Sequence, residues 1–167
     1  VGTSSVRRSA QIKKAYPHLK FKDVRGNLGT RLGKLDAEDG EYSCLILAVA
    51  GVVRMDWTER ITQYLDSTTL GGGMLHAVGQ GALAIEVREG DEKIMKVLEV
   101  LSNEAATLSG IAERSLMRTL EGGCSVPIGV ETTWIERGKL LMKAIVYSIW
   151  SISTETLLRI PRLKVIP

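Results

Sequence analysis

The chain has 167 residues, 44% apolar and 25% charged, and carries a net charge of +3 at neutral pH. That is enough apolar material for one large domain or two small ones, and the charge is too mild for the strong basic stripe of a nucleic-acid binder. The longest apolar run, 44–53, is too short to span a bilayer, no signal-peptide pattern opens the chain, and two cysteines and two isolated histidines form neither a disulfide framework nor a metal-ligand spacing. These exclusions point to a soluble protein of a reducing compartment, the cytoplasm, with neither nucleic acid nor membrane as partner.

In chain order, Gly2-Thr3-Ser4-Ser5 leads into a helix expected over 9–16 and stopped by Pro17. Free N–H groups, hydroxyls and the positive end of the helix dipole converge at such a start, which favours anions. Arg7 and Arg8 sit in its first turn, where cations oppose the dipole; the bland alternative is a pair of solvated arginines. Residues 20–24 alternate like a short strand. Arg25-Gly26-Asn27-Leu28-Gly29-Thr30-Arg31 then turns into a second helix with Leu28, Leu32 and Leu35 on one face. Cys44 opens an apolar run and reads as core, with 44–49 a buried strand. The next turn delivers Arg54 to another short helix. Arginines thus recur at three strand-to-helix turns. Ligands of open α/β sheets bind at strand carboxyl ends, and a guanidinium grips carboxylate or phosphate with a bidentate fork. A polyanionic ligand is expected.

Residues 65–73 are polar and Gly-rich, a loop or hinge. A strand is expected over 83–87 and a helix over 91–101 with Ile94, Val97, Leu98 and Leu101 on one face. Asn103 caps the next helix, whose predicted buried stripe is Leu108, Ile111, Ala112, Ser115, Leu116 and Leu120. It runs into Glu121-Gly122-Gly123-Cys124-Ser125-Val126-Pro127, where two glycines bend the chain and present a thiol. By itself this is either a packed, inert cysteine after a helix cap or a reactive thiol on a loop. Residues 126–133, 140–147 and 152–160 read as three strands of an antiparallel sheet, the first two joined by Glu136-Arg137-Gly138-Lys139.

Gly2-Thr3-Ser4-Ser5-Val6-Arg7-Arg8, Arg25 to Leu32, Leu47-Ala48-Val49-Ala50-Gly51, Ala77-Val78-Gly79-Gln80-Gly81-Ala82-Leu83, Ile111-Ala112-Glu113-Arg114 and Leu120 to Pro127 occur in this order. Together they resemble the porphobilinogen deaminase (hydroxymethylbilane synthase) family. The resemblance implies a doubly wound α/β domain like those of periplasmic binding proteins, here 1–73, then a hinge and return segment, 74–101, then a small α+β domain with a three-stranded antiparallel sheet, 102–167. It implies a three-domain transferase of haem and tetrapyrrole synthesis, a monomer when full length, that joins porphobilinogen into the linear hydroxymethylbilane with loss of ammonia. It implies a covalent dipyrromethane cofactor, a polycarboxylate primer held as a thioether by Cys124. Its carboxylates would be bound by Arg7, Arg8, Arg25, Arg31 and Arg54 with Thr3, Ser4 and Ser5, and Gln80 would lie in a hinge beside the site. A thiolate suits the attachment, being the strongest nucleophile among common side chains.

The family's first domain, which supplies its catalytic aspartate, precedes the Gly-Thr-Ser-Ser stretch, and none of Asp23, Asp36, Asp56, Asp66 and Asp91 lies in a matching motif. Beyond Tyr147 the match fades. The chain therefore reads as a fragment without turnover of its own; the competing reading is a non-catalytic polycarboxylate-binding remnant or degenerate copy.

Overall fold

The computed structural model describes residues 1–69, 73–120 and 126–147. Its N-terminal part rests on three parallel segments joined by single bridges. Gly2 lies in the middle, paired with Lys22 on one side and Leu45 on the other. Gly2 N–H donates to Cys44 O at 2.8 Å, Thr3 N–H to Lys22 O at 3.1 Å and Ile46 N–H to Gly2 O at 3.0 Å. Parallel neighbours need crossover connections, and these carry helices α1 (Val6–Ala15) and α2 (Leu28–Asp36). Only glycine fits at position 2, since a Cβ would strike the Leu45 side chain and lie 2.8 Å from Tyr42 Cδ1.

Helix α1 begins at Val6 rather than at residue 9, because Ser5 is its N-cap. The Ser5 hydroxyl accepts from Arg8 N–H at 3.4 Å, and its carbonyl accepts from Ser9 N–H at 3.0 Å. The face turned inward is unusual: Arg7 and Gln11 are buried beside Ile12. Helix α2 is capped by Asn27, whose side chain accepts from Thr30 N–H at 2.8 Å, and it buries Leu32 with Leu28 and Leu35 half-buried, the face expected. Helix α3 (Val49–Arg54) lies close against α2; a Cβ on Gly51 would be 2.9 Å from Leu28 Cδ1.

Helix α4 (Glu92–Leu98) is capped by Asp91 and tightens into a single 3-10 turn at Glu99–Leu101. Helix α5 (Glu104–Thr119), capped by Asn103 as predicted, packs on the antiparallel hairpin of β1 (Ile128–Glu136) and β2 (Lys139–Val146). Alternation sends Ile128 and Val130 from β1 and Met142 and Ala144 from β2 to one face, where they form a buried cluster with Leu116. Gly138, at φ 77°, closes the turn. The described sheet has these two strands; the third expected strand, 152–160, lies outside the described residues.

Five expectations give way to the structure. Residues 44–48 form one bridge rather than a buried strand, and α3 takes over at Val49. With Gly2 pairing on one side and no further neighbour among the described residues, Cys44 is exposed rather than core. Residues 83–87 form no strand: nothing described pairs with them, and Leu83 is 94% exposed. The apolar face expected over 91–101 is uncovered, with Ile94, Val97 and Leu101 exposed. On α5 the buried residues are Ala112, Glu113 and Leu116, while Ile111, Ser115 and Leu120 face outward, because one hairpin covers a narrower strip than the full apolar stripe.

Met142, 3% exposed, lies in this cluster, whereas Ile135 on the same hairpin is 63% exposed. Met142→Ala is expected to lower unfolding free energy by about 2–5 kcal/mol and Ile135→Ala by no more than about 0.5 kcal/mol, measured by urea titration. Equal losses would put the core elsewhere.

Candidate functional site

Residues 74–80 run as a strap between α1 and the hairpin, gripped from both sides. Met74 and Leu75 are buried. Gln11 of α1 pairs with both backbone groups of Leu75: its Oε1 accepts from Leu75 N–H at 2.7 Å and its Nε2 donates to Leu75 O at 3.2 Å. Arg7 Nη1 donates to the same carbonyl. On the other side His76 and Val130 exchange two backbone hydrogen bonds of 2.8 Å. Buried Glu113 of α5 accepts from Gly79 N–H and from the Thr132 hydroxyl, both at 2.7 Å. The strap's last residue, Gln80, turns its Oε1 back to accept from Ala77 N–H at 3.1 Å and from Arg7 Nη2 at 3.2 Å.

The five predicted arginines divide into groups. Arg7 is buried, and burial, helped by the charge of Arg8, pushes its guanidinium down to about 10. Arg8 is half-buried; Nη1 donates to Ile46 O at 2.8 Å, at the end of the third parallel segment. Burial lowers its pKa, and the nearby charge of Arg31 lowers it further. Arg31 anchors its Nε on Gly26 O at 2.7 Å, within the turn that Gly26 opens at φ 117°. Arg7, Arg8 and Arg31 are therefore electrostatic neighbours, drawn from two turns that are adjacent because their segments pair side by side. Arg25 stands apart, 80% exposed and 3.4 Å from Asp23 Oδ2. Arg54, at the end of α3, is exposed and makes no described contact with the other four.

The predicted hydroxyls shape the turn. Thr3 Oγ1 accepts from Ser5 N–H at 3.2 Å, Ser4 Oγ donates to Val24 O at 2.8 Å, and Ser5 caps α1. Cys124 lies outside the described residues. Gln11 and Glu113 were not singled out by motif. The signal for Gln11 is its place four residues after Arg7, on one face of a helix; Glu113 sits in a matching stretch, but only packing shows that it reaches the strap. A separate cavity of about 340 Å³, between the start of α5 and the hairpin turn, is lined by Leu108, Trp134, Arg137 and Leu140 and shares no residue with the arginine turns. Among the described residues no group of His, Cys, Asp or Glu is placed to hold a metal ion, and no helix is long and apolar enough to cross a membrane.

Two family models match this chain. "Porphobilinogen deaminase, dipyromethane cofactor binding domain" covers residues 1–96, and "Porphobilinogen deaminase, C-terminal domain" covers 107–157. The chain belongs to the porphobilinogen deaminase family. Curated relatives carrying the name porphobilinogen deaminase include those of Neurospora crassa, 61% identical over 149 residues, and Yarrowia lipolytica, 60% identical over 149. That of Saccharomyces cerevisiae is 59% identical over 150 residues. Each match covers 89% of this chain but only 44%, 43% and 45% of the respective relative. The chain thus spans less than half the length of these porphobilinogen deaminases.

A further contact holds this family member's hairpin to the stretch before the strap. Glu131 of β1 accepts from the Ser67 hydroxyl and from Lys143 Nζ, the latter at 3.1 Å. The Ser67 hydroxyl holds its carboxyl below the usual 4.5; burial opposes this, and Lys143 and His76 add to the lowering. The folded pKa is below the unfolded one, so the unfolded chain takes up the proton more readily. The stabilisation is complete above about pH 4.5 and is lost as pH falls through the folded value. Urea midpoints are expected to change little from about pH 7 to about pH 5 and to fall below that, with a shallower fall in Glu131→Gln. An equally steep fall in the variant would show that this carboxylate contributes nothing.

Proposed function

We propose that this chain is the cofactor-holding portion of a hydroxymethylbilane synthase, the transferase that polymerises porphobilinogen into hydroxymethylbilane with release of ammonia in haem biosynthesis. The observation that carries the reading is the convergence of Arg8 and Arg31 beside buried Arg7, each of the first two having only one described anchor and the rest of its fork unengaged. Cations drawn together and partly desolvated, with no carboxylate of the described residues paired to Arg8 or Arg31, fit a polycarboxylate ligand. A dipyrromethane meets that donor set, because each pyrrole carries an acetate and a propionate.

In this reading Cys124 holds the dipyrromethane as a thioether. Arg8 and Arg31 grip its carboxylates while buried Arg7 adds positive charge behind them; Arg25 and Arg54, exposed and apart from these three, are the further candidates for its carboxylates, and Thr3, Ser4 and Ser5 set the turn that presents Arg7 and Arg8. Gln80 steadies Arg7 from the strap. When bound, the cofactor supplies the primer end onto which pyrrole units are joined. The doubly wound domain over 1–73, the hinge over 74–101, the three-stranded domain over 102–167, the cytoplasmic location and the monomeric full-length state belong to the same reading.

Turnover needs a carboxylate among these cations, and the described residues offer none in place: Asp23 pairs with Arg25 on the surface, and buried Glu113 is engaged by Gly79 and Thr132. The 167-residue chain is therefore expected to bind polycarboxylates without making hydroxymethylbilane. In a full-length family member, Arg8→Leu or Arg31→Leu should impair primer assembly or elongation roughly 10- to 150-fold, the worth of about 1.5–3 kcal/mol for a charged hydrogen bond; Lys13→Leu on the exposed face of α1 should change little. Equal effects would argue against an arginine cradle. A dipyrromethane mass increment should vanish in Cys124→Ser and persist in Cys44→Ser; an increment that maps to Cys44 would overturn the attachment site.

A further inference from the structure

We propose that Gln11 is a positioning residue for the anion site. It registers the strap on α1 so that Gln80 meets Arg7 and leaves Arg8 and Arg31 to the ligand; the inference rests on the anion-binding reading above. Gln11 is 4% exposed, yet its side-chain amide makes three hydrogen bonds, two of them to the N–H and C=O of Leu75. A primary amide is a side chain that donates and accepts at once while neutral, so it can copy a neighbouring strand and saturate one residue of an extended segment. Neither a lysine nor a carboxylate can do so.

The surroundings are built for this contact. Gly129 of β1 packs over it, and a Cβ there would lie 3.0 Å from Gln11 Nε2 and 2.9 Å from Leu75 Cβ. Two residues matched in shape, one on α1 and one on β1, thus enclose the strap. The Gln11 amide also donates to Arg7 O at 3.3 Å, one helical turn back. The Arg7 guanidinium lands on the Leu75 carbonyl, beside the Gln11 amide. Slippage of the strap by one residue would remove Leu75 O from both donors and carry Gln80 away from Arg7. Arg7 would then be left buried and unpaired, or would swing out among Arg8 and Arg31, where the like charge opposes it.

The test is made on the 167-residue chain. Backbone amide exchange is measured at Leu75, His76 and Val130, and porphobilinogen binding by calorimetry, for the wild type, Gln11→Met, Arg8→Leu and Lys13→Met. The wild type should protect the Leu75 amide as well as that of His76. Gln11→Met, close to isosteric, should lose Leu75 protection and weaken porphobilinogen binding by about 10-fold at a temperature where the variant is folded, while Lys13→Met leaves both unchanged. A purely structural role would lower the unfolding midpoint of Gln11→Met without changing affinity of the folded protein, and that result overturns the inference. A fast-exchanging Leu75 amide in the wild type overturns it too, without any variant. Loss of affinity in Arg8→Leu but not in Gln11→Met refutes the positioning role and leaves the anion site standing. Unaltered affinity in Arg8→Leu refutes the anion site itself.

Discussion

The joining of α1 to the hairpin depends on how the backbone of Leu75 is held. One residue of an extended strap takes hydrogen bonds from two buried side chains of α1, and its neighbour His76 is paired with β1. A buried polar group without a partner costs far more than a paired one gains. The clamp is therefore selective as well as adhesive: in one register every group is satisfied, and in the next several are orphaned. Apolar contact alone would not discriminate so sharply, since Met74 and Leu75 would bury similar area after a small slide.

The clamp also explains why one arginine behaves unlike the others. Arg7 is desolvated and saturated by protein groups, so its charge is spent on architecture while still raising the local potential. Arg8 is tethered by a single bond to Ile46 O at the end of the third segment, and Arg31 by a single bond to Gly26 O just after the second. Their mutual repulsion is built into the fold and is relieved by negative charge placed between them. Short tethers restrict the guanidinium planes, which would lower the entropy lost if they grip an anion as proposed.

Local chemistry was readable wherever it is settled within a few residues. Asn103 caps a helix, as read, because a short polar side chain reaches an N–H three residues on. Gly138 turns a hairpin because the turn needs positive φ. The misreadings share one cause. Residues 44–49 and 83–87 have strand-like composition, but a strand exists only where a neighbour accepts its hydrogen bonds, and the described residues supply one bridge to the first and none to the second. The stripe on α5 was drawn too wide for the same reason: what covers a helix is a property of its neighbours, so Ile111 and Leu120 stayed exposed.

From the sequence alone, the motifs carried the family, the recurrence of arginine at turn after turn, and the glycine-flanked thiol at Cys124. Each is a statement about residues near one another in the chain, where spacing determines geometry. Tertiary structure decided which arginines meet. Arg8 and Arg31 are neighbours because parallel pairing through Gly2 puts their turns side by side, whereas Arg25, equally prominent in the motifs, and Arg54, at the next strand-to-helix turn, stay outside that group. It also decided that Gln11 and Glu113 matter. Their partners, Leu75 and Gly79, lie 64 and 34 residues away, and no periodicity in the sequence encodes a contact made by a segment with no secondary structure of its own.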